Sequence, residues 1–196
     1  NEYVLPYIWE KIKTPFFYLE KGNYPIVGFC GVNSKFRNRT LEIFYRNKNI
    51  KTNYIIRKYF WGGKSHDPKL VNDFENNMMT SHFNICNRGN GNFSMRFYQT
   101  LSAGRIPILL NTDMVLPFDN EIDWNNIIIL GNTEEELLYK VLKYWNIKNI
   151  LEMQAKCKEI YDRYFSNLDK LLLYKLSKFN INGLRRSNGN RRKFSK

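Results

Sequence analysis

The chain has 196 residues, of which 43% are hydrophobic and 16% aromatic, a composition that favours a packed globule over a disordered chain. Its formal net charge of +13 indicates anionic partners, among them nucleotide-sugar phosphates, anionic glycans, nucleic acid and membrane headgroups. No apolar run approaches the roughly 18 residues that a membrane span requires, so none is predicted.

Strands and helices are predicted to alternate along the chain. The predicted strands cover residues 26–30, 52–57, 83–86, 106–110 and 127–130. The predicted helices cover residues 7–12, 36–46, 69–80, 93–103, 132–145, 147–165 and 168–176. This alternation predicts an α/β fold with a Rossmann-like, mainly parallel sheet and helices on both faces.

Neither disulfide nor metal chemistry is indicated by the sequence. The chain has three cysteines, Cys30, Cys86 and Cys157, and an odd number cannot all form disulfides with one another. The first two lie in predicted buried strands. We interpret them as free thiols of a reducing compartment. His66 and His82 are too far apart in the sequence to predict a structural zinc site.

The most informative pattern runs from Phe83 to Leu110, in the order strand, Gly-rich loop, helix, strand. The loop, residues 88–92, holds two glycines and two asparagines, which tolerate positive φ angles. The helix that follows presents unpaired N–H groups and the positive end of its dipole, with Asn92 as the predicted N-cap. The pattern therefore indicates an anion site at this helix N-terminus.

Three side chains near the loop suit a nucleotide sugar. Arg88 in the loop and Arg96 one turn into the helix offer bidentate contacts to phosphate, and the amide of Gln99 could reach a sugar hydroxyl. The competing interpretation is that the loop is only a turn and that Arg88 pairs with Asp73 or Glu75. These residue types alone leave both interpretations open.

Residues 88–124 resemble the signature of the exostosin-family glycosyltransferases. The matching elements occur in the family's order: Arg88-Gly89, Ser94, Arg96, Gln99, Ala103 to Ile108, Leu116-Pro117-Phe118 and Asp123-Trp124. Weaker similarity reaches residues 25–31 and 4–7, so the resemblance touches most of residues 1–165.

The resemblance implies the C-terminal, donor-binding half of a GT-B fold in a hexosyl- or glycuronosyltransferase. It implies inverting transfer from a nucleotide sugar, most simply a UDP-sugar, to a glycan acceptor. A metal is not predicted, because the sequence lacks an Asp-x-Asp pair. The donor-binding residues that it implies are Arg88, Gly89, Gly91, Ser94, Arg96 and Gln99. Three further candidates lie on predicted loops or strand ends: Arg37, His66 and Trp61, the last of which is alternatively a core anchor.

Gln99 departs from the family pattern, which usually has Glu or Asp there to hold the ribose hydroxyls. On the resemblance alone, Gln99→Glu is expected to tighten UDP binding, and a non-catalytic nucleotide- or glycan-binding relative is the alternative function. No catalytic residue is identified, since the base is expected on a preceding domain; His66, a lone loop histidine, is weak evidence.

The chain is divided into three parts: residues 1–24 as a connector or remnant of a preceding acceptor-binding domain, 25–180 as the nucleotide-sugar-binding domain, and 181–196 as a disordered basic tail. The tail suggests peripheral membrane association. The location is predicted as cytoplasmic for a microbial or viral protein and as the Golgi lumen for a eukaryotic one. Nucleic acid is a less favoured partner, because the positive charge is spread along the chain without a recognisable binding motif.

Overall fold

The computed structural model describes residues 10–64, 66–167, 169, 171–173 and 176. Five parallel strands form its sheet: β1 (Ile26–Val32), β2 (Lys51–Arg57), β3 (Phe83–Ile85), β4 (Ile106–Leu110) and β5 (Ile129–Gly131). Five α-helices alternate with them or follow them: α1 (Asn38–Tyr45), α2 (Pro68–Met79), α3 (Met95–Ser102), α4 (Glu134–Ile147) and α5 (Ile150–Ile160). The predicted α/β, Rossmann-like fold is confirmed.

The strand order β2-β1-β3-β4-β5 determines where a ligand can sit. The chain passes from β1 outward to β2 and then back past β1 to β3, so its direction reverses at β1. Right-handed crossovers consequently place α1 and α2 on opposite faces of the sheet. Where the direction reverses, the loops at the carboxyl ends of β1 and β3 diverge and leave a crevice, which is the usual ligand site of such sheets.

The core lies on both faces of the central strands. Every residue of β3 is buried, as are the first four residues of β4. On one face α1 contacts α4, and on the other α3 contacts α5. Phe44 on α1 and Leu101 on α3 are both fully buried, which fixes both helices against the sheet and holds their termini in place at its edge.

The N-cap residue of helix α3 is Ser94, two residues after the predicted cap at Asn92. The reason is a tertiary contact: the Asn92 amide donates to the Thr112 carbonyl at 2.8 Å and accepts from the Thr112 hydroxyl at 2.6 Å. Asn92 therefore ties the Gly-rich loop to the loop after β4. Gly104, the predicted helix stop, has a φ of 61°, which a glycine adopts without strain.

The predicted capping box at the start of α4 is present with a one-residue offset. The Thr133 hydroxyl accepts from the Glu136 N–H at 3.1 Å, and the Glu136 carboxylate accepts from the Asn132 N–H at 2.7 Å. The helix predicted for residues 147–165 begins instead at Ile150, because Asn149 caps it, and it ends in a π-helical turn at Tyr161–Phe165.

The helix predicted for residues 7–12 is absent from its described part, residues 10–12, which run across α2 and α3 without helical structure. The remainder of that prediction and the basic tail at 181–196 lie outside the described residues. No helix in the described part of the chain combines the length and the apolar content needed to cross a membrane.

Candidate functional site

A cavity of about 400 Å³ lies at the carboxyl edge of the sheet, where the topology predicts a ligand site. The end of β1 (Cys30 to Val32) and Arg57 at the end of β2 form part of its wall. The loop after β3 and the first turns of α3 form another part, through Gly89 to Gly91 and Ser94 to Gln99. The Gly-rich loop and the start of α3, which the sequence indicated as a ligand site, thus line this cavity.

Arg96 is the best-placed cation in this cavity. Its guanidinium lies 4.5 Å from the centre of the Phe29 ring and donates from Nη2 to the Cys30 carbonyl at 2.6 Å. Nε and Nη1 are buried and have no hydrogen-bond partner among the described residues. Burial lowers the pKa of Arg96, and the nearby Arg57 lowers it further. Arg96 therefore keeps two donors whose hydrogen-bonding capacity the described residues do not use.

Arg37, a further candidate from the sequence, lines the same cavity as Arg96. Its Nη1 donates to the Val32 carbonyl at 2.9 Å, and its Nε donates to the Asn87 carbonyl at 3.3 Å. Burial, followed by the charge of Arg96, lowers the pKa of Arg37 to about 10. Two like charges held together out of water create a strongly positive potential.

Arg88 does not line the cavity, in contrast to its predicted position. Its guanidinium lies 4.5 Å from the centre of the Phe36 ring and donates to the Asn90 carbonyl at 3.0 Å. The predicted alternative partners, Asp73 and Glu75, do not form an ion pair with it. Stacking on Phe36 holds Arg88 beside the loop, and its Nε is buried without a hydrogen-bond partner among the described residues.

The positive charge of the cavity is not neutralised by ion pairs. Among the described residues, the ion pairs involve Arg39, Arg46, Lys140 and Lys158, and none involves Arg37, Arg57 or Arg96. Arg57 donates instead to a main-chain carbonyl, that of Leu70, at 2.7 Å. Because main-chain carbonyls carry no net charge, the charges of these three arginines are not cancelled by their hydrogen-bond partners.

Glycines allow the arginines to approach the main chain, although not in the predicted way. Gly89 and Gly91 do not have positive φ angles, so conformational freedom is not their role. A Cβ on Gly89 would lie 3.3 Å from Nη2 of Arg37, so this glycine leaves room for the guanidinium. A Cβ on Gly91 would lie 2.5 Å from the Phe93 ring. Gly31, with a φ of 154°, accommodates Arg96 and was not predicted from the sequence.

Ser94 and Gln99 occupy opposite ends of the α3 part of the cavity wall. The Ser94 side chain is buried and makes no cap hydrogen bond, which leaves its hydroxyl available next to the first helical N–H groups. The Gln99 amide nitrogen donates to the Glu10 carbonyl at 3.3 Å. Gln99 therefore has a structural partner that the sequence did not reveal.

His66 lines the cavity, whereas Trp61 is described only by its main chain, in a 3₁₀ turn at Phe60–Gly63. His66 is exposed and has a φ of 62°, unusual for a residue other than glycine. It therefore lies at the mouth of the cavity rather than among the buried arginines.

The side of the cavity that faces the arginines is apolar. The helical spacing of Leu70, Phe74 and Met78 predicts that all three belong to the core. In the structure Leu70 and Phe74 instead line the cavity, together with Ile12, Phe60 and Val71. Of Leu70, Phe74 and Met78, only Met78 is fully buried. Helical periodicity shows which face of α2 points inward, but it does not distinguish a packed core from a cavity wall.

The second half of the family-like motif is structural. The Trp124 indole donates to the Pro117 carbonyl at 2.9 Å and its ring lies 5.3 Å from that of Phe97 on α3. Phe118 is buried and packs on Tyr164. These contacts pack Phe118 and Trp124 beneath the loop that joins β4 to β5, where they support the helix that carries Arg96.

The described residues contain no group of three or more potential metal ligands. The three cysteines are buried and unpaired. Burial raises the pKa of Cys30 and Cys157 and raises that of Cys86 to about 11, so these thiols remain protonated near neutral pH. A second cavity, of about 530 Å³, lies between residues 121–127 and α5 and mixes carboxylates with lysines.

The exostosin GT47 domain model matches residues 32–143, more than half of the chain. The chain belongs to this family of glycosyltransferase domains. The match begins at Val32, the last residue of β1, and continues into α4, so it contains Arg37, the Gly-rich loop and all of α3. The resemblance that the motif suggested is thus confirmed.

Curated relatives of this exostosin GT47 domain come from several animals. Exostosin-1c of Danio rerio is 33% identical over 104 residues, which is 52% of this chain and 14% of the relative. Exostosin-1 of Drosophila melanogaster is 32% identical over 103 residues, or 51% of this chain and 13% of the relative. The Exostosin-1 homolog of Caenorhabditis elegans is 26% identical over 97 residues, which is 49% of this chain and 25% of the relative. The chain therefore matches only a small part of each relative.

Proposed function

We propose that this exostosin GT47 domain binds the nucleotide-sugar donor of a glycosyltransferase, and that the donor is a UDP-sugar. The observation that carries the proposal is the pair of unused, buried donors on Arg96, beside Arg37 and at the N-terminus of α3. Guanidinium groups and helix N–H groups are the protein groups best suited to a diphosphate. The apolar wall opposite offers a surface for the flat face of a nucleobase.

Leaving-group stabilisation is the chemical task of this site. When the bond between the anomeric carbon and the β-phosphate oxygen breaks, its electron pair remains on that oxygen and negative charge grows on the diphosphate. Arg96 and the first N–H groups of α3 would stabilise this charge without reorganising. A hydroxyl of the glycan acceptor attacks the opposite face of the sugar, which inverts the anomeric configuration, and its proton passes to a base.

The base is proposed to come from an acceptor-binding domain that precedes this one, as the family's two-domain architecture implies. The arginines of the cavity cannot accept a proton near neutral pH, and the Glu75 carboxylate that also lines it already accepts three hydrogen bonds from residues 13 and 14. His66 at the cavity mouth is the first residue to test should the base lie within this chain. The cations of the cavity can balance the diphosphate charge, so no metal is included in the proposal. Because the relatives are animal proteins, we favour the Golgi lumen among the predicted locations.

A non-catalytic nucleotide-binding relative is the second candidate, favoured by Gln99 in place of the family's carboxylate. Nucleic-acid binding is not supported, since the arginines converge inside a cavity instead of forming a basic face with interleaved aromatic side chains. The two remaining candidates share the diphosphate site and differ only in turnover.

A transfer assay with a panel of UDP-sugars distinguishes them. A protein extended upstream by a full domain is expected to transfer sugar with inversion, and the present chain alone to show little or none, because positioning of the acceptor contributes about 7–11 kcal/mol to the lowering of the barrier. Transfer by the short chain at the rate of the extended one would contradict the two-domain proposal. Tight UDP binding by the extended protein without transfer would favour the non-catalytic relative.

A further inference from the structure

We propose that residues 10–14 form a wall of the donor cavity and that Glu75 is the positioning residue that holds this wall in place. We call residues 10–14 the strap. The proposal rests on the proposed function for its ligand, because UDP is the probe, but the fixing of the strap can be measured without a ligand.

On the α2 side, one carboxylate holds two successive strap residues. Glu75 Oε1 accepts from the Lys13 N–H at 3.0 Å. Its Oε2 accepts from the Thr14 hydroxyl at 2.8 Å and from the Thr14 N–H at 3.3 Å. A carboxylate that accepts three bonds is a stronger anchor than a neutral acceptor, since hydrogen bonds to a charged group are stronger than those between neutral groups.

On the α3 side, the strap is held by two side chains one turn apart. The Ile12 N–H donates to the Ser102 hydroxyl at 3.1 Å, and the Gln99 amide donates to the Glu10 carbonyl at 3.3 Å. The Ile12 side chain is buried and clusters with Met78 and Ala103. The strap thus bridges α2 and α3, the two helices that line the cavity.

The strap is in contact with the cavity that contains Arg96. Glu10, Lys11 and Ile12 all line that cavity, as does Glu75. If the strap moved away, water would enter beside the guanidinium and weaken its attraction for an anion, because the interaction of charges falls as the local dielectric rises. Glu75 would therefore affect ligand binding through the strap, without touching the diphosphate.

Gln99 is suited to this arrangement in a way that a carboxylate is not. Its amide nitrogen is a donor to the Glu10 carbonyl, and its amide oxygen remains able to accept from a ligand hydroxyl. A glutamate would place an acceptor oxygen against the Glu10 carbonyl and lose the bond. Gln99→Glu is therefore expected to weaken UDP binding, the opposite of the expectation from the family resemblance alone.

The test compares Glu75→Gln with Glu42→Gln, a matched control on α1 whose carboxylate pairs with Arg46. Three quantities are measured: the dissociation constant for UDP by calorimetry, the melting temperature, and the alkylation rate of each cysteine by peptide mass spectrometry. Cys30 lines the cavity, whereas Cys86 and Cys157 are fully buried, do not line it, and serve as internal references.

The strap proposal predicts that Glu75→Gln raises the dissociation constant for UDP at least about tenfold, equivalent to roughly 1.4 kcal/mol. The same variant should speed the alkylation of Cys30 by a similar factor, while the alkylation rates of the other two cysteines stay unchanged. Thr14→Val, which removes one of the three bonds, should give a smaller effect in the same direction. The control should match the wild type.

Unchanged UDP affinity and unchanged Cys30 reactivity in Glu75→Gln would overturn the proposal. Equal acceleration at all three cysteines would also overturn it, because that result indicates general loosening of the fold. If Glu75→Gln does not fold, Thr14→Val and Gln99→Glu decide the question by the same two readouts. If the wild type does not bind UDP, the proposed function fails, while the Cys30 rates still decide whether the strap closes the cavity.

Discussion

A Cβ on residue 31 would lie 2.6 Å from Nη2 of Arg96, so the missing side chain of Gly31 is what allows this guanidinium to reach β1. Gly31 also has a φ of 154°, which residues with a side chain rarely adopt. The result is a guanidinium fixed on one side by the Cys30 carbonyl and on another by the Phe29 ring. The donors that remain unused are therefore held in a fixed position.

Replacing Gly31 by alanine should displace Arg96 and strain the end of β1. We expect a loss of stability of about 1–3 kcal/mol, the usual cost of a disfavoured backbone conformation, and weaker UDP binding in the protein that remains folded. Urea unfolding and calorimetry measure the two effects. Gly22→Ala is the matched control, because a Cβ there would have no neighbour within 4 Å. Equal UDP affinity in both variants would show that Gly31 does not position Arg96.

Arg105 should be essential for stability, because it joins four parts of the chain at the end of the sheet opposite the cavity. Its fully buried guanidinium donates to the carbonyls of Met79 and Phe17 and to the Gln154 side chain, as well as to Ala103 and Gly104. The carboxyl ends of α2 and α3 supply the partial negative charge that stabilises it.

Arg105→Lys keeps the charge but cannot reproduce these bonds, so several buried carbonyls would lose their partner. We expect a loss of about 3–5 kcal/mol, the range for breaking a buried charged network, measured by urea unfolding. Arg46→Lys, at an exposed position of α1, should change stability little. A loss of less than about 1 kcal/mol for Arg105→Lys would mean that its hydrogen bonds contribute little net stability.

His82 should make the fold sensitive to acid. Its Nδ1 accepts from the Ile26 N–H at 3.1 Å, so its Nε2 donates to the Glu20 carbonyl at 2.9 Å, and the ring is neutral in this arrangement. Burial lowers the pKa of His82 below its ordinary value of 6.5. The hydrogen bond to the Glu20 carbonyl raises this pKa, and the charge of Arg105 lowers it further. Protonation of Nδ1 would remove the bond to Ile26 at the start of β1.

Because the folded-state pKa is lowered, the unfolded chain binds the proton more tightly. The stability due to His82 is therefore complete above pH 6.5 and is lost as the pH falls through 6.5 towards the folded-state pKa. Urea unfolding from pH 7.5 to 5 should show a fall in stability, with a limiting slope of about 1.4 kcal/mol per pH unit for one proton. His82→Gln should flatten this part of the profile, and an equally steep profile in the variant would assign the effect to another group.

The sequence predicted the strands of the sheet and the Gly-rich loop that leads into α3 because both depend on local patterns. Apolar runs gave β4 its observed limits, and the Gly-rich loop placed Arg96 at a helix N-terminus. A glycine near the end of a strand, such as Gly31, is a signal for a close approach of another group, but it does not reveal which group approaches.

What could not be predicted depended on contacts between distant residues. The stacking of Arg88 on Phe36, the bond between Gln99 and Glu10, and the conversion of Leu70 and Phe74 from core to cavity wall each require the tertiary structure. Arg57 entered the cavity because β2 pairs with β1 in a register that places it beside Val32. Such a register is set by the whole sheet and is not encoded in a short motif.

The central claim is that the unused donors of Arg96 bind the diphosphate of a nucleotide sugar. The most direct test is to titrate UDP by calorimetry into three proteins: the wild type, Arg96→Gln and the exposed control Arg46→Gln. Since a charged hydrogen bond contributes about 1.5–3 kcal/mol, the account predicts that Arg96→Gln binds UDP about ten to a hundred times more weakly than the wild type. The control, with an intact cavity, should bind like the wild type. Equal affinity in all three proteins, or no binding by the wild type, would contradict the account.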